Sequence, residues 1–168
     1  MQAGELVRLH DRLLDWLGAP PTDARRVVGW FLDAKVARLR GDHARAGANL
    51  DKVQLVWGPV PDVLLMRAEV ERILSPGIHA ATPALRAIQG YVELGDTLGE
   101  ARARALYANT LMDAGVLDVR VVDHLSHAAD LFDQVDDEEG VASCEMLLGR
   151  HAFTHRDFDT AMSHGKRA

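Results

Sequence analysis

The chain has 168 residues, a formal net charge of −6 and a single cysteine, Cys144. One cysteine excludes an intrachain disulfide, and no run approaches the roughly 18 apolar residues that a membrane span needs. Arg8 and Asp11 interrupt the first segment before an export signal could form. Aromatic residues make up only 5% of a chain that is 48% hydrophobic. Ala, Leu and Val must therefore supply the core, which favours helices and a soluble, cytoplasmic protein.

Apolar periodicity, with Pro and Gly as breakers, predicts one leading helix followed by four helix pairs. The leading helix, Gly4–Leu17, has a broad apolar side and is ended by Pro20 and Pro21. First helices of the pairs are predicted at Asp23–Arg40, Asp62–Leu74, Gly99–Ala114 and Glu139–Thr154. Second helices are predicted at His43–Val56, Pro83–Leu94, Val119–Val135 and from Phe158 to the end.

Acidic residues are concentrated in one segment. Val121 to Gly140 holds seven acidic residues and no Lys or Arg, whereas the remainder carries 18 acidic and 19 basic residues. A nucleic-acid binder needs a basic face, so we expect no direct contact with nucleic acid. The acidic run Asp136–Glu139 precedes a first helix, whose N-terminus favours negative charge. The alternative is an acidic outer patch that recruits a basic partner.

A repeat underlies the helix pairs. Its small–large–aliphatic triad, with spacings of four and three, lies on one helical face and recurs every 41 residues as Ala46/Leu50/Val53, Ala87/Tyr91/Leu94 and Ala128/Phe132/Val135. Gly58, Gly99 and Gly140 recur at the same interval. After Ala128 the next match is Ala161, 33 residues on, so the longer intervals contain about seven residues inserted between the helices.

The chain is predicted to be one domain of repeated units. Residues 1–22 form the leading helix, and the units span 23–58, 59–98, 99–138 and 139–168, the last incomplete. An unfinished unit leaves its apolar stacking face open. We therefore expect either that the chain is a fragment of a longer protein or that it self-associates through the open C-terminal repeat.

The units resemble tetratricopeptide (TPR) repeats, a family of 34-residue helix–turn–helix units. The family's large–small pair in the first helix is matched by Trp30 and Ala34, and Gly41-Asp42 and Asp157-Phe158 sit at its usual turn. Its small–large pair after the turn is matched by Ala46/Leu50, Ala87/Tyr91 and Ala128/Phe132. The middle loops are longer than in the family, and glycine replaces its closing proline. The resemblance implies an all-α, right-handed superhelix (α-solenoid) of antiparallel helix pairs.

The resemblance also implies a function. First helices of such repeats line a concave groove that holds peptides, so the chain is predicted to be a protein–protein (peptide) interaction module and not an enzyme. The alternative is a ligand- or peptide-sensing regulatory segment of a bacterial transcription regulator or multidomain signalling protein. Groove-facing positions carried over from the family are Phe31, Lys35, Arg38, Arg102, Asn109, Asp113, Met146, Arg150 and Phe153.

Metal, cofactor and catalytic sites are weakly indicated. His124 and His127, and His151 and His155, are spaced to share a helix face. Zinc needs three or four converging ligands, and no metal-binding motif accompanies these pairs, so surface histidines are expected and no metal or cofactor is predicted. Cys144 is predicted to be a buried, inert thiol in the packing seam.

Overall fold

The structure, a computed structural model, describes residues 23–75 and 77–168. Within those ranges it is all-helical, without strands, and each helix of the four predicted pairs begins within two residues of its predicted start. The predicted helix Gly4–Leu17 lies outside the described residues. A short 3-10 turn, Ile78–Ala80, occupies the first long loop. The α-helices are α1 (Asp23–Leu39), α2 (His43–Trp57), α3 (Pro61–Leu74), α4 (Ala81–Leu94), α5 (Thr97–Asp113), α6 (Val119–Gln134), α7 (Glu138–Thr154) and α8 (Phe158–Gly165).

Aspartates begin five of these helices. Each accepts a hydrogen bond from a backbone N–H of the first turn, which satisfies a donor that has no partner inside the helix. The capping residues are Asp42, Asp96, Asp118, Asp137 and Asp157. Helix α3 instead starts with proline at its first position, where no N–H is needed. One residue of the predicted acidic run, Asp137, therefore has the local capping role.

The helices form a chain of pairs connected through the first helices. Each α-helix contacts the next one along the chain, and α1 also contacts α3, α3 contacts α5, and α5 contacts α7. Over the described ranges, no two of the second helices α2, α4, α6 and α8 contact each other. This arrangement is that of a helical repeat. Among these helices, none combines the length and apolar character that a bilayer crossing requires.

Two columns of the predicted repeat form the core. The small residues Ala46, Ala87 and Ala128 are each 0% exposed, and the large residues Leu50, Tyr91 and Phe132 are at most 5% exposed. The third column is only partly buried: Val53 is 0% exposed, but Leu94 is 71% and Val135 39% exposed. The reason is that α4 ends at Leu94 and α6 ends before Val135.

The glycine column holds in two copies of three. Gly99 and Gly140 lie in the first turns of α5 and α7, where the ring of Tyr91 or Phe132 fills the space of a Cβ atom. Gly58 differs, because it follows α2 with a φ of 73°, in the left-handed region that favours glycine. The shared spacing of Gly58 therefore does not reflect a shared role.

Candidate functional site on the first helices

A cleft of about 420 Å³ lies between the first helices α3, α5 and α7. Leu106 and Leu147 are among its apolar lining residues, and the ring of Phe132 also borders it. Its polar lining mixes cationic, anionic and neutral groups, namely Glu69, Arg102, Asn109, Asp137, Glu139 and Ser143. A surface of this kind can hold an apolar side chain and satisfy the polar groups of a peptide backbone.

Residues of the cleft come in pairs 41 positions apart. Leu106 pairs in this sense with Leu147, and Arg102 with Ser143. Members of a pair occupy the same place on successive first helices, α5 and α7, which contact each other. The repeat therefore builds the cleft by placing equivalent positions side by side.

A ladder of polar contacts, which we call the Arg–Asp ladder, joins three first helices. Arg72 of α3 donates to Asp113 of α5 at 2.8 Å. Arg150 of α7 donates to Asn109 of α5 at 2.7 Å and to Asp113 at 3.4 Å. Residues 72 and 113, and residues 109 and 150, are again 41 apart. The Arg–Asp ladder fixes the orientation of the Asn109 amide, since its oxygen accepts from Arg150 and its NH₂ group remains available as a donor.

Some charged side chains in the cleft already have a partner within the protein, whereas that of Arg102 does not. Glu69 is paired with Arg38 of α1 at 3.2 Å, and Asp137 accepts the capping hydrogen bond from Gly140 N. Arg102 is exposed, and its side chain forms no hydrogen bond or ion pair with another residue that the structure describes. A guanidinium without a partner is a set of free donors, which suits carbonyl or carboxylate oxygens of a bound chain.

The nine carried-over positions separate into three groups. Arg102 and Asn109 line the cleft, while Asp113 and Arg150 border it in the Arg–Asp ladder. Towards α1, Arg38 is paired with Glu69, the Phe31 ring packs on Trp57 with centroids 6.2 Å apart, and the Lys35 ammonium lies 4.8 Å from the Phe31 ring. Met146 and Phe153 of α7 are 61% and 63% exposed and do not line the cleft.

Several residues in or beside the cleft were not predicted from the sequence, among them Glu69, Arg72 and Ser143. A signal for two of them was present. Arg72 is 41 residues before the proposed groove residue Asp113, and Ser143 is 41 residues after Arg102. Extending the groove positions by the period would have identified both. Glu69 has no such signal, because its contact with Arg38 depends on how α1 and α3 are placed.

Three of the four histidines in the two pairs, His124, His151 and His155, contact other residues. His151 and His155 both place Nε2 near the Leu117 carbonyl oxygen, at 3.3 and 2.9 Å. His124 packs edge-on against Tyr107, and burial, followed by the charge of Arg104, lowers its pKa. Between residues 23 and 168, Pro76 aside, no three or more His, Cys, Asp or Glu residues are grouped to hold a metal ion.

The two side chains with the largest pKa shifts, Cys144 and Tyr91, are protonated at neutral pH. Cys144 is 0% exposed, and its burial, with a smaller effect of Glu145, raises the pKa of the thiol to about 12. A nucleophilic cysteine needs the opposite shift. Tyr91 donates to Asp62 at 3.0 Å, and burial together with that carboxylate raises the pKa of the phenol. This contact joins α4 to α3 and has a structural role.

Comparisons with known proteins concern the fold. No protein-family model matches the chain, and no curated protein sequence matches it. Among solved structures, the chain is similar to BtubC (BKLC) from P. vanneervenii, with a TM-score of 0.70 and 19% sequence identity. The alignment covers 99% of this chain and 70% of that chain. Similarity at this level of identity shows a shared fold.

Proposed function

We propose that this chain is a divergent TPR-type interaction module, a right-handed superhelix of antiparallel helix pairs that holds a peptide segment of a protein partner. The observation that carries the proposal is the cleft between α3, α5 and α7, in which equivalent positions of successive first helices are adjacent. A face that repeats along a solenoid suits an extended ligand, because both have a regular translation.

The chemistry of the cleft supports a peptide over a small apolar ligand. The free donors of Arg102 and the Asn109 amide suit backbone carbonyl oxygens, and Glu139 and Ser143 offer acceptors for backbone N–H groups. Leu106 and Leu147 line the same cleft and provide apolar contacts for one side chain. We therefore infer an extended segment with an apolar residue flanked by polar ones.

Binding is proposed in preference to catalysis, and in a cytoplasmic setting. The buried Cys144 thiol is protonated, and the carboxylate of Asp62 is engaged by the Tyr91 hydroxyl. A regulatory role, in which the bound peptide alters an attached output domain, would use the same cleft.

Selection of peptides on the whole chain tests the proposal. Random peptides displayed on phage are enriched on the immobilised protein, and the affinity of a selected peptide is measured for two serine variants. Ser143→Arg, in the cleft on α7, is expected to weaken binding at least about tenfold, which is about 1.4 kcal/mol. Ser126→Arg, on an exposed position of the second helix α6, is the matched control and is expected to leave affinity unchanged.

Equal effects of the two variants would contradict the assignment to the cleft. Failure to enrich any peptide would contradict the assignment of peptide binding itself. Both variants place arginine at an exposed helical position, so a difference between them does not arise from net charge or from folding.

A further inference from the structure

The last helix pair exposes a contiguous apolar surface, which we call the end face. It consists of Phe153 on α7 and Phe158 and Met162 on α8, whose side chains are 63%, 56% and 61% exposed. The two phenylalanine rings meet edge to face with centroids 5.6 Å apart. Large apolar side chains exposed together mark an interaction surface, in contrast to single exposed ones.

The repeat itself indicates what kind of element covers such a surface. Met112 is 41 residues before Phe153 and occupies the same position on α5. It is only 8% exposed, since α7 packs beside α5 and Arg150 approaches the Met112 sulfur to 3.8 Å. The equivalent position on α7 therefore suits a packed helix.

Charges on α8 indicate which helix fits. Phe158, Met162 and Lys166 follow one another at intervals of four residues and so lie on one side of the helix. Asp159, on the same side at the start of α8, and Lys166, at its end, are both exposed, and neither forms an ion pair with a residue in the described ranges. The midpoint between Asp159 and Lys166 falls between Met162 and Ser163.

A stripe with an acid at one end and a base at the other is complementary to itself when two copies run in opposite directions. Asp159 of one copy then faces Lys166 of the other, and the Met162 side chains meet near the two-fold axis. Phe153 and Phe158 of each copy extend the apolar contact on both sides of that axis. Self-association at this end is one of the two alternatives that the open C-terminal repeat suggests, and these side chains supply a geometry for it.

We propose that the end face binds a second copy of this chain, with α8 packed antiparallel on α8 of the partner around a two-fold axis beside Met162. The surface is separate from the cleft on the first helices, so this dimer does not depend on the proposed peptide binding.

The first test measures the molar mass of the full chain in solution by light scattering over a concentration series. The wild type is expected to have twice the chain mass, and Met162→Glu is expected to reduce it to one chain mass, because two carboxylates would meet at the axis. Leu55→Glu is the matched control, since Leu55 is an apolar helical residue that is 86% exposed on α2. A wild type that is monomeric at every concentration overturns the proposal.

The second test identifies the axis. Lys166→Asp is expected to weaken the dimer by at least about tenfold, and adding Asp159→Lys is expected to restore it, since the exchanged charges again face each other. Met162→Cys is expected to form a disulfide between copies under a mild thiol oxidant such as diamide, because Cys144 is buried and does not compete. Thr160→Cys, at an exposed position on the opposite side of α8, is expected to cross-link far less. A dimer that shows neither the charge rescue nor preferential linkage at Met162 overturns the two-fold geometry.

Discussion

The ring of Phe132 at the end of α6 lies against the backbone of Gly140 in α7, in the space that a Cβ atom would occupy. Forty-one residues earlier, Tyr91 and Gly99 have the same relationship. In both places a buried ring fills a notch that only glycine leaves open, which lets one helix pair approach the next closely. In these two copies, the repeat therefore pairs a large ring at the end of a second helix with a glycine at the start of the next first helix.

Gly140→Ala is expected to destabilise the protein, because the added methyl group would overlap the Phe132 ring and force α7 away from α6. Overpacking of this kind costs about 1–3 kcal/mol. Gly47→Ala in the middle of α2 is the matched control, since its new methyl group would make ordinary contacts with Val70 and Leu74 at 3.7 and 3.9 Å. The control is expected to gain up to about 1 kcal/mol from helix propensity. Urea unfolding of both variants measures the difference, and equal midpoints would contradict the notch.

Ala128→Glu is expected to cost at least about 3 kcal/mol, because it places an unpaired charge at a position that is 0% exposed. Ala48→Glu makes the same change at an exposed position of α2 and is expected to alter stability by less than about 0.5 kcal/mol. Thermal unfolding followed by circular dichroism compares the two variants. Similar melting temperatures would show that the small-residue column does not mark the helix crossing.

The sequence predicts this fold well because the same packing problem recurs. The small column with Ala46, Ala87 and Ala128, and the large residues four positions later, follow directly from helix periodicity, and all of them are buried. Burial of the third column could not be predicted in this way, because whether Leu94 and Val135 are buried depends on where the helices end. Gly58 was grouped with Gly99 and Gly140 by spacing alone, which does not distinguish a helix end from a helix start.

The site could be predicted less well than the fold. The resemblance to TPR repeats led to Arg102 and Asn109, which line the cleft, because the groove-facing positions were carried over from the family. It could not show that Arg38 is paired with Glu69, or that Phe31 packs on Trp57, since these contacts depend on the placement of neighbouring helices. Helix periodicity in the sequence does not reveal such contacts between helices.

The Arg–Asp ladder is expected to orient side chains without holding the fold together. Side chains of Arg150 and Asp113 are 47% and 30% exposed, so solvent screens their attraction, and pairs of this kind contribute about 0–1 kcal/mol. Arg150→Ala is therefore expected to lower stability by less than about 1 kcal/mol. A double-mutant cycle with Asp113→Ala measures the coupling. A coupling above about 2 kcal/mol would show that the ladder is a main determinant of stability.

Cys144 is expected to be unreactive until the chain unfolds. Iodoacetamide labelling at neutral pH should be slow in the native protein and fast in urea, because the thiol is buried and its pKa is raised to about 12. The unfolded thiol has a pKa of about 8.5. The stability that this group contributes is thus complete below that pH and is lost as the pH rises towards 12. When the pH is raised from neutral to about 9.5, Cys144→Ala should therefore lose less stability than the wild type. Equal labelling rates in the native and unfolded protein would contradict the buried position.

Peptide binding in the cleft between α3, α5 and α7 is tested most directly by nuclear magnetic resonance. The isotopically labelled chain is titrated with a peptide that was selected for binding to it. Binding in the cleft predicts that the largest amide shift changes cluster at Arg102, Asn109, Ser143 and Leu147. Changes that cluster instead on exposed positions of the second helices, such as Ala48 and Ser126, would contradict the account.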